Sequence, residues 1–305
     1  MKQTLLLTSM CLTLLGCGSK SEAPTPPTPK VNQEQPAPQG QRKAFFAEHE
    51  IFHVHKLKDY QLTGPVSKMK TRENGKDKAR EEMTFEHGYL TSLLSYDIEG
   101  KITKEDYTYQ IHPKTQQRVL VKMERSGEST FLLEQRHDEQ GNVIYIKEKD
   151  EDGLTLEKEI IYNDRENMSY QRIKANGNTS DLLPFAKRDP LGLPVEVYTY
   201  NSSNFKLNNK REYTYEGGRI STLIISRYND EGKVKGVTRF AWGYDEKGLP
   251  STHRSQISGL SSLQHSYSNY VLDEQNNWVS RIETTRRPGR RVNKSKEIRE
   301  IVYVK

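Results

Sequence analysis

The chain has very little cysteine: Cys11 and Cys17 are the only two among its 305 residues. Because both lie within the first 17 residues, the rest of the chain can form no disulfide. It also carries no thiol nucleophile and no cysteine-type zinc site. Cysteine-dependent enzymes are therefore excluded, and the folded domain must be held together by its own packing.

Apolar residues are also scarce, since only 33% of the chain is hydrophobic, 29% is charged and the mean hydropathy is -0.89. This composition excludes a thick core that is apolar on both sides. The chain nevertheless has 17 Tyr and 8 Phe, with short clusters of Val and Ile, which is more than a disordered chain carries. Half-buried β-strands account for both facts.

Motifs of known catalytic sites are missing as well: there is no serine nucleophile elbow, no phosphate-binding loop and no dinucleotide fingerprint. Carboxylates are plentiful, but the notable ones stand in turn sequences, where hydrogen bonding to the backbone explains them. We therefore expect a protein that is not an enzyme and has no cofactor. A glycan hydrolase with paired carboxylates is the less favoured alternative.

The N-terminus has the pattern of an export signal. Lys2 is followed by an apolar run from Thr4 to Leu15, which is too short for a permanent membrane helix. The sequence Leu14-Leu15-Gly16-Cys17 resembles the lipobox of bacterial lipoproteins. That resemblance implies that residues 1–16 are a signal peptide, that cleavage precedes Cys17, and that Cys17 receives a diacylglycerol. Gly18, rather than Asp, implies delivery to the outer membrane.

A proline-rich stretch follows the lipidated cysteine. Six prolines stand between Ser19 and Gln41 without any apolar periodicity, which is typical of an extended, semi-stiff spacer. We therefore divide the chain into a signal peptide (1–16), a lipidated linker (17–43) and a folded domain (44–305). A short helix is expected over Lys43 to Glu50.

A turn sequence recurs along the folded domain. An aromatic or polar residue precedes acidic residues, then Gly or Asn, then an apolar residue that restarts a strand. Gly and Asn tolerate positive φ, and Asp binds the turn backbone. Copies span Phe85–Tyr89, Tyr96–Ile102, His137–Val143, Asp150–Leu154, Tyr215–Ile220, Tyr228–Val234, Tyr244–Leu249 and Leu272–Trp278.

Residues between the turns alternate with the two-residue period of a strand, as in Phe240, Trp242 and Tyr244 against Arg239 and Gly243. The predicted fold is all-β, an antiparallel meander of roughly 14 to 18 strands in hairpins. We expect a broad twisted sheet or an open half-barrel. A two-layer sandwich is the second choice.

The repeats resemble the tyrosine-aspartate (YD) repeats of Rhs-type proteins and of many bacterial lipoproteins. The closest stretches are Tyr244–Leu249 and Asn276–Ile282, the latter with a last strand over Glu297 to Val304. The resemblance extends over Thr84 to Lys305 and implies the fold alone. The long toxin cage of that family needs many more repeats and a toxin segment, so its function is not carried over.

Two sites were considered for metal binding. His53 and His55 would lie on one side of a strand and could share a transition-metal ion, but exposed polar positions on an early edge strand are the favoured interpretation. The acidic sequence Asp150-Glu151-Asp152-Gly153 is not a calcium loop, because Ile161 stands where an EF-hand needs a glutamate. A hairpin turn is the better interpretation.

The formal net charge is +6, and cations concentrate near the C-terminus. They surround a predicted hairpin at Pro288-Gly289 and are Arg281, Arg286, Arg287, Arg290, Arg291, Lys294 and Lys296. Such a patch could bind lipid phosphates or envelope glycans. The favoured interpretation is a solvated hairpin that keeps a near-terminal edge from pairing with other chains, and anionic binding is the second. Nucleic acid is not accessible to an exported lipoprotein.

The sequence therefore predicts a lipid-anchored envelope protein, a non-catalytic binding or scaffolding module for a protein or glycan. The alternative is a carrier that holds an apolar ligand in a half-barrel. A cavity lined by Leu, Ile and Phe would favour the carrier, and a tyrosine-rich charged surface would favour the scaffold.

Overall fold

The computed structural model describes residues 56–74, 79–97, 99–127, 130–260 and 262–304. The signal peptide, the linker, the helix expected over Lys43 to Glu50, and the metal candidates His53 and His55 all lie outside these residues. Within them, no helix has both the length and the apolar character needed to cross a membrane.

A short 3-10 helix (Leu57–Tyr60) precedes 19 strands. The first nine strands are β1 (Val66–Glu73), β2 (Glu81–Glu86), β3 (Tyr89–Tyr96), β4 (Ile102–Ile111), β5 (Arg118–Ser126), β6 (Phe131–His137), β7 (Val143–Asp150), β8 (Thr155–Asn163) and β9 (Met168–Ala175). The others are β10 (Asn178–Thr179), β11 (Leu183–Arg188), β12 (Pro194–Tyr200), β13 (Leu207–Glu216), β14 (Arg219–Tyr228), β15 (Val234–Tyr244), β16 (Pro250–Ile257), β17 (Leu263–Leu272), β18 (Trp278–Arg286) and β19 (Asn293–Tyr303).

The strands form one closed antiparallel barrel. Each strand pairs with the next along the chain, except that the two-residue β10 is bypassed and β11 pairs directly with β9. The sheet closes at β1, because Met69 stands opposite Met83 of β2 on one side and opposite Ile301 of β19 on the other. Leaving out β10, the wall has 18 strands.

The predicted all-β antiparallel meander of hairpins is therefore confirmed, whereas the broad open sheet, the half-barrel and the two-layer sandwich are wrong. The pairing of β1 with β19 is the reason, since it leaves no edge strand and no second sheet among the described residues. Alternation and turn spacing are the same in an open and a closed meander, so the sequence pattern could not distinguish them.

Side chains alternate between a buried inner face and an exposed outer face. On β9, for example, Gln171 and Ile173 are buried, while Arg172 and Lys174 are exposed. A closed single-layer sheet has only these two faces, so the buried side chains point into the barrel. The interior is therefore apolar over much of its circumference, and the outer wall is polar.

The buried apolar side chains of the inner face form one connected cluster. Each fully buried Leu, Ile or Phe contributes roughly 1.5 to 3 kcal/mol, so this cluster supplies most of the stabilisation. Its members are Leu62, Val66, Met69, Met83, Phe85, Leu90, Tyr107, Leu120, Met123, Leu133, Ile146, Ile160, Phe185, Ala186, Val197, Tyr213, Leu223, Ile225 and Phe240.

The outer wall carries pairs of opposite charge on neighbouring strands. Lys70 lies 3.0 Å from Glu82, and Arg172 lies 3.0 Å from Glu159. Exposed pairs of this kind contribute at most about 1 kcal/mol each. These pairs matter more for where they lie: they put charged side chains in the middle of strands, on the outward face of the barrel.

Seven hairpins share one turn geometry. Each turn begins at an Asp or Asn. The side-chain oxygen of this residue accepts a hydrogen bond from the backbone N–H four residues later. Its backbone carbonyl accepts a hydrogen bond from the N–H three residues later. That third residue has positive φ, as at Gly248 (77°). The turns begin at Asp97, Asp138, Asp150, Asp189, Asn229, Asp245 and Asp273. Six of them were predicted, and the turn at Asp189 was missed.

The recurring tyrosine before a turn also has a definite role. Tyr215 donates its hydroxyl to the carbonyl of Pro194 at 2.7 Å, and Tyr244 donates to the carbonyl of Ile220 at 3.1 Å. Tyr162 and Tyr270 make the same contact with the first residue of the preceding strand. These four tyrosines thus fasten the end of one strand to the beginning of the strand before it, whereas Tyr96 donates to the side chain of Glu82.

Asp189→Ala should lower the free energy of unfolding by about 1 kcal/mol, because the N–H groups of Leu191 and Leu193, each 2.9 Å from its carboxylate, lose their acceptor. Asp189→Asn should cost less than half of that, since Asn229 makes the same two bonds in its own turn. Urea unfolding of the full chain measures both. Asp152→Ala, at an exposed turn residue, is the control, and an equal loss there would contradict the role of the turn.

Candidate functional site

The interior changes character between β15 and β19. The apolar cluster ends at Phe240 and Trp242 of β15, and the next strands place charged and imidazole side chains on the inner face. We call this region the polar arc; it comprises His253, His265, Tyr267, Trp278, Arg281, Glu283, Glu297 and Arg299, together with Arg80. Buried charges destabilise a fold unless they are paired, so their partners show what the region does.

A row of flat side chains crosses three strands at the start of the polar arc. Trp242, His253 and His265 are register neighbours on β15, β16 and β17. Their rings stack, with centroids 5.3 Å apart for Trp242 and His253 and 5.6 Å apart for the two histidines. Cross-strand pairing on one face produces this row directly.

The histidine row ends at a buried carboxylate. Nδ1 of His265 lies 2.6 Å from Glu283, which is only 5% exposed. Burial, with a contribution from neighbouring His265, lowers the pKa of His253 to about 4. At neutral pH His253 is therefore an uncharged member of the stack.

A second carboxylate joins two arginines. Nε of Arg281 lies 2.6 Å and Nη1 of Arg80 3.0 Å from Glu297, which is 5% exposed. The guanidinium of Arg281 also stacks on Tyr267 at 4.0 Å and on Trp278 at 4.3 Å. The structure therefore places Arg281 in the barrel interior, apart from the other predicted members of the basic patch.

Arg299 lies over the ring of Trp278 at 3.6 Å and donates to the carbonyl of Tyr60 at 3.0 Å. Burial, strengthened by the charge of Arg281, lowers the pKa of Arg299 to about 9. The indole N–H of Trp278 donates to Gln61 at 3.0 Å. The polar arc thus joins Tyr60 and Gln61, which precede β1, to strands β18 and β19.

The carboxylates of the polar arc are therefore engaged by basic groups, Glu283 by His265 and Glu297 by two arginines. Among the described residues, no group of three or more His, Cys, Asp or Glu side chains is arranged to hold a metal ion. The arrangement supports strand pairing at the closure of the barrel. Sequence reasoning missed it, because its members come from separate strands.

The other six residues of the predicted basic patch are exposed on the hairpin between β18 and β19. We call this group the basic tip; it consists of Arg286, Arg287, Arg290, Arg291, Lys294 and Lys296. The N–H of Arg290 donates to the carbonyl of Arg287 at 3.0 Å, which closes the turn. No acidic residue stands between Thr284 and Lys296, so the charge of the hairpin is not neutralised within it.

Both rims of the barrel carry exposed acidic and basic side chains, but the six cations of the basic tip are all on one rim. The hairpins that follow β2, β4, β6, β8, β11, β13, β15 and β17 lie on the rim where the 3-10 helix enters, with Leu57 N–H donating to the carbonyl of Gly88 at 3.1 Å. We call this the entry rim. Its exposed acids are Glu86, Glu139, Asp164, Glu166, Glu216, Asp245, Glu246 and Glu274. The basic tip lies on the opposite, distal rim, since successive antiparallel strands alternate in direction.

Comparison with known proteins gives no match to any family model and none to a curated protein. Among solved structures, the chain is similar to a porin-like protein from Bacteroides uniformis ATCC 8492, with 14% identity and a TM-score of 0.35, over 79% of this chain and 98% of that one. It is also similar to a porin-like protein from Bacteroides vulgatus ATCC 8482, with 11% identity and a TM-score of 0.34, over 79% of this chain and 99% of that one.

Glu297→Gln should lower the free energy of unfolding by about 3 kcal/mol, because Arg281 and Arg80 would keep their charges without the carboxylate that balances them. Glu300→Gln on the same strand is the matched control. It breaks an exposed pair with Arg72 and should cost less than about 1 kcal/mol. If urea unfolding shows the same loss of stability for both variants, the buried pairing of Glu297 with Arg281 and Arg80 contributes no more than an exposed ion pair.

Stability should fall as the pH drops from about 6.5 to about 4, because unfolded His253 takes up a proton in this range and the folded side chain does not. His253→Phe keeps a flat ring in the stack and should make this decline shallower. His137, whose pKa burial also lowers to about 4, should account for part of the remaining decline. Urea unfolding across this pH range measures the slope. The exposed His87→Asn is the control, and a slope changed equally by both variants would contradict the assignment.

Proposed function

We propose that this chain is a lipid-anchored, non-catalytic binding and scaffolding protein of the cell envelope, whose barrel stands in water beside a membrane. The observation that carries the proposal is the direction of its side chains: the inner face is apolar over much of its circumference and its charges are paired, whereas the outer wall is charged along its strands. The lipobox-like sequence at Cys17 supplies the attachment, and its Gly18 supports the outer membrane as the location.

The outer wall argues against burial of the barrel in lipid. Lys70, Arg172 and Arg239 are near the middle of their strands on the outward face, and charges follow on most other strands. In a membrane barrel, one Lys or Arg at the lipid midplane costs about 2 to 4 kcal/mol. Several such charges together exceed the stability of an ordinary domain. Membrane attachment is therefore assigned to the lipid on Cys17.

The interior supports a scaffold over a carrier of apolar ligands. A carrier of an apolar ligand was expected to hold it in an open half-barrel. No half-barrel is formed, because β1 pairs with β19. The apolar side chains pack on one another in one cluster, and the remaining arc is occupied by paired charges. Binding is accordingly assigned to the outer surface, where charged groups and tyrosines such as Tyr145, stacked beneath Arg136 at 3.8 Å, are displayed.

Among the surface features, the basic tip is the one whose composition best suits binding of an anionic partner. Its six cations are exposed and carry no acidic neighbour within the hairpin. A concentrated positive field attracts anionic groups and speeds encounter with them. An envelope protein, a glycan and a lipid phosphate are the partner classes that the proposal admits.

Residues 17–305 with Cys17→Ser, exported behind a secretory signal peptide that is removed without lipidation, should move from the membrane fraction to the soluble fraction of the envelope, because the lipid is the proposed attachment. Fractionation of cells that express each form measures this. The wild-type chain should remain with membranes at 1 M salt and be released by detergent. Retention of the Cys17→Ser chain at high salt and release only by detergent would contradict the proposal, since that behaviour would mean that the barrel itself is embedded.

A further inference from the structure

We propose that the distal rim docks on an anionic phospholipid bilayer through the basic tip and the apolar hairpin beside it. This inference deepens the proposed function, because it names the partner of the basic tip. It rests on contacts of the folded domain and does not require the lipid on Cys17.

The neighbouring hairpin supplies exposed apolar side chains. Leu260, at the turn between β16 and β17, is 64% exposed, and Ile257 at the end of β16 is 42% exposed. The turn is tight, since the N–H of Leu260 donates to the carbonyl of Ile257 at 3.0 Å. Val292, within the basic hairpin itself, is 49% exposed. Two exposed aliphatic side chains, Leu260 and Val292, therefore lie in adjacent loops of one rim, with Ile257 at the end of the neighbouring strand.

The two hairpins are held side by side. Strand β17 of the apolar hairpin pairs with β18 of the basic hairpin, and Gln264 of β17 stands opposite Arg254 of β16 on one side and Arg286 of β18 on the other. Arg254 is exposed and extends the row of cations onto the neighbouring strand. Positive charge and apolar side chains thus occupy one continuous part of the distal rim.

This combination suits a phospholipid surface better than a glycan or an acidic protein. Each Lys or Arg near an anionic bilayer gains electrostatic attraction to its phosphates, and aliphatic side chains gain by insertion among the headgroups and upper acyl chains. A soluble glycan would use the cations and leave Leu260 and Val292 exposed to water. The attraction of the basic tip orients the barrel with this part of the distal rim toward the bilayer.

The test uses the chain from residue 17 onward with Cys17→Ser, so that neither the signal peptide nor a lipid tail contributes and a failure here leaves the proposed anchor unaffected. The chain is sedimented with vesicles of phosphatidylglycerol and phosphatidylethanolamine, and separately with vesicles of phosphatidylcholine. We expect binding to the first vesicles and little to the second, and a marked weakening of binding as salt rises. Equal binding to both vesicle types would overturn the proposal.

Neutralisation of Arg286, Arg287, Arg290 and Arg291 to Gln should weaken binding at least about 100-fold. The matched control neutralises four cations of the outer wall, Lys104, Lys122, Lys149 and Arg172, and should change binding less than about fivefold. Thermal unfolding of both variants verifies that they are folded. An equal effect of the two sets would overturn the proposal, because binding would then follow net charge alone.

The apolar part is tested with Leu260→Ser combined with Val292→Ser. This variant should bind anionic vesicles several-fold more weakly at high salt, whereas Leu191→Ser, at a 75% exposed residue of the entry rim, should not. Dextran sulfate serves as a soluble anionic polysaccharide. Binding to it as tight as to vesicles, together with no effect of the Leu260 and Val292 changes, would overturn the lipid assignment in favour of a glycan.

Discussion

The hydrogen bonding between β1 and β19 is the constraint on which the rest of the structure depends. These strands come from opposite ends of the domain and pair from Val66 with Tyr303 to Glu73 with Glu297. Once they are joined, every described strand except the two-residue β10 has a neighbour on both sides, and the closed sheet has an inner face. The apolar face of each hairpin then becomes a shared core, and no edge is left to pair with another chain.

The polar arc explains how this closure is held. Trp278 begins β18 and is fully buried, with Arg281 and Arg299 stacked on its ring and Gln61 bonded to its indole N–H. Thr63 and Asn277 join the same two regions through bonds of 2.6 and 2.9 Å between backbone and amide groups. Buried charges stabilise poorly compared with apolar packing, but they specify which groups must meet. Here they define the register between the segment that enters the barrel and the last two strands.

Local features of the fold could be predicted from the sequence, because the residues that cause them are adjacent. An Asp three residues before a Gly binds the turn backbone wherever it occurs, and the turn at Asp189 was missed only because Pro190 and Leu191 replace the usual acidic residues. Closure could not be predicted, since it depends on one pairing between residues more than two hundred positions apart. The same limit applies to Arg281, which is close in sequence to the basic tip but is turned inward by strand alternation and the register with Glu297.

Closure of the barrel can be tested directly with an engineered disulfide between β1 and β19. The chain has no other cysteine once Cys17 is replaced and the signal peptide is removed. Lys70 and Glu300 are register partners on the outward faces of β1 and β19. With Lys70→Cys and Glu300→Cys in a Cys17→Ser chain, a closed barrel should form an intramolecular disulfide under mild oxidation, seen as faster migration on a non-reducing gel and as a linked peptide in mass spectrometry. Thiols that stay free in the folded chain, or that cross-link only between molecules, would contradict closure.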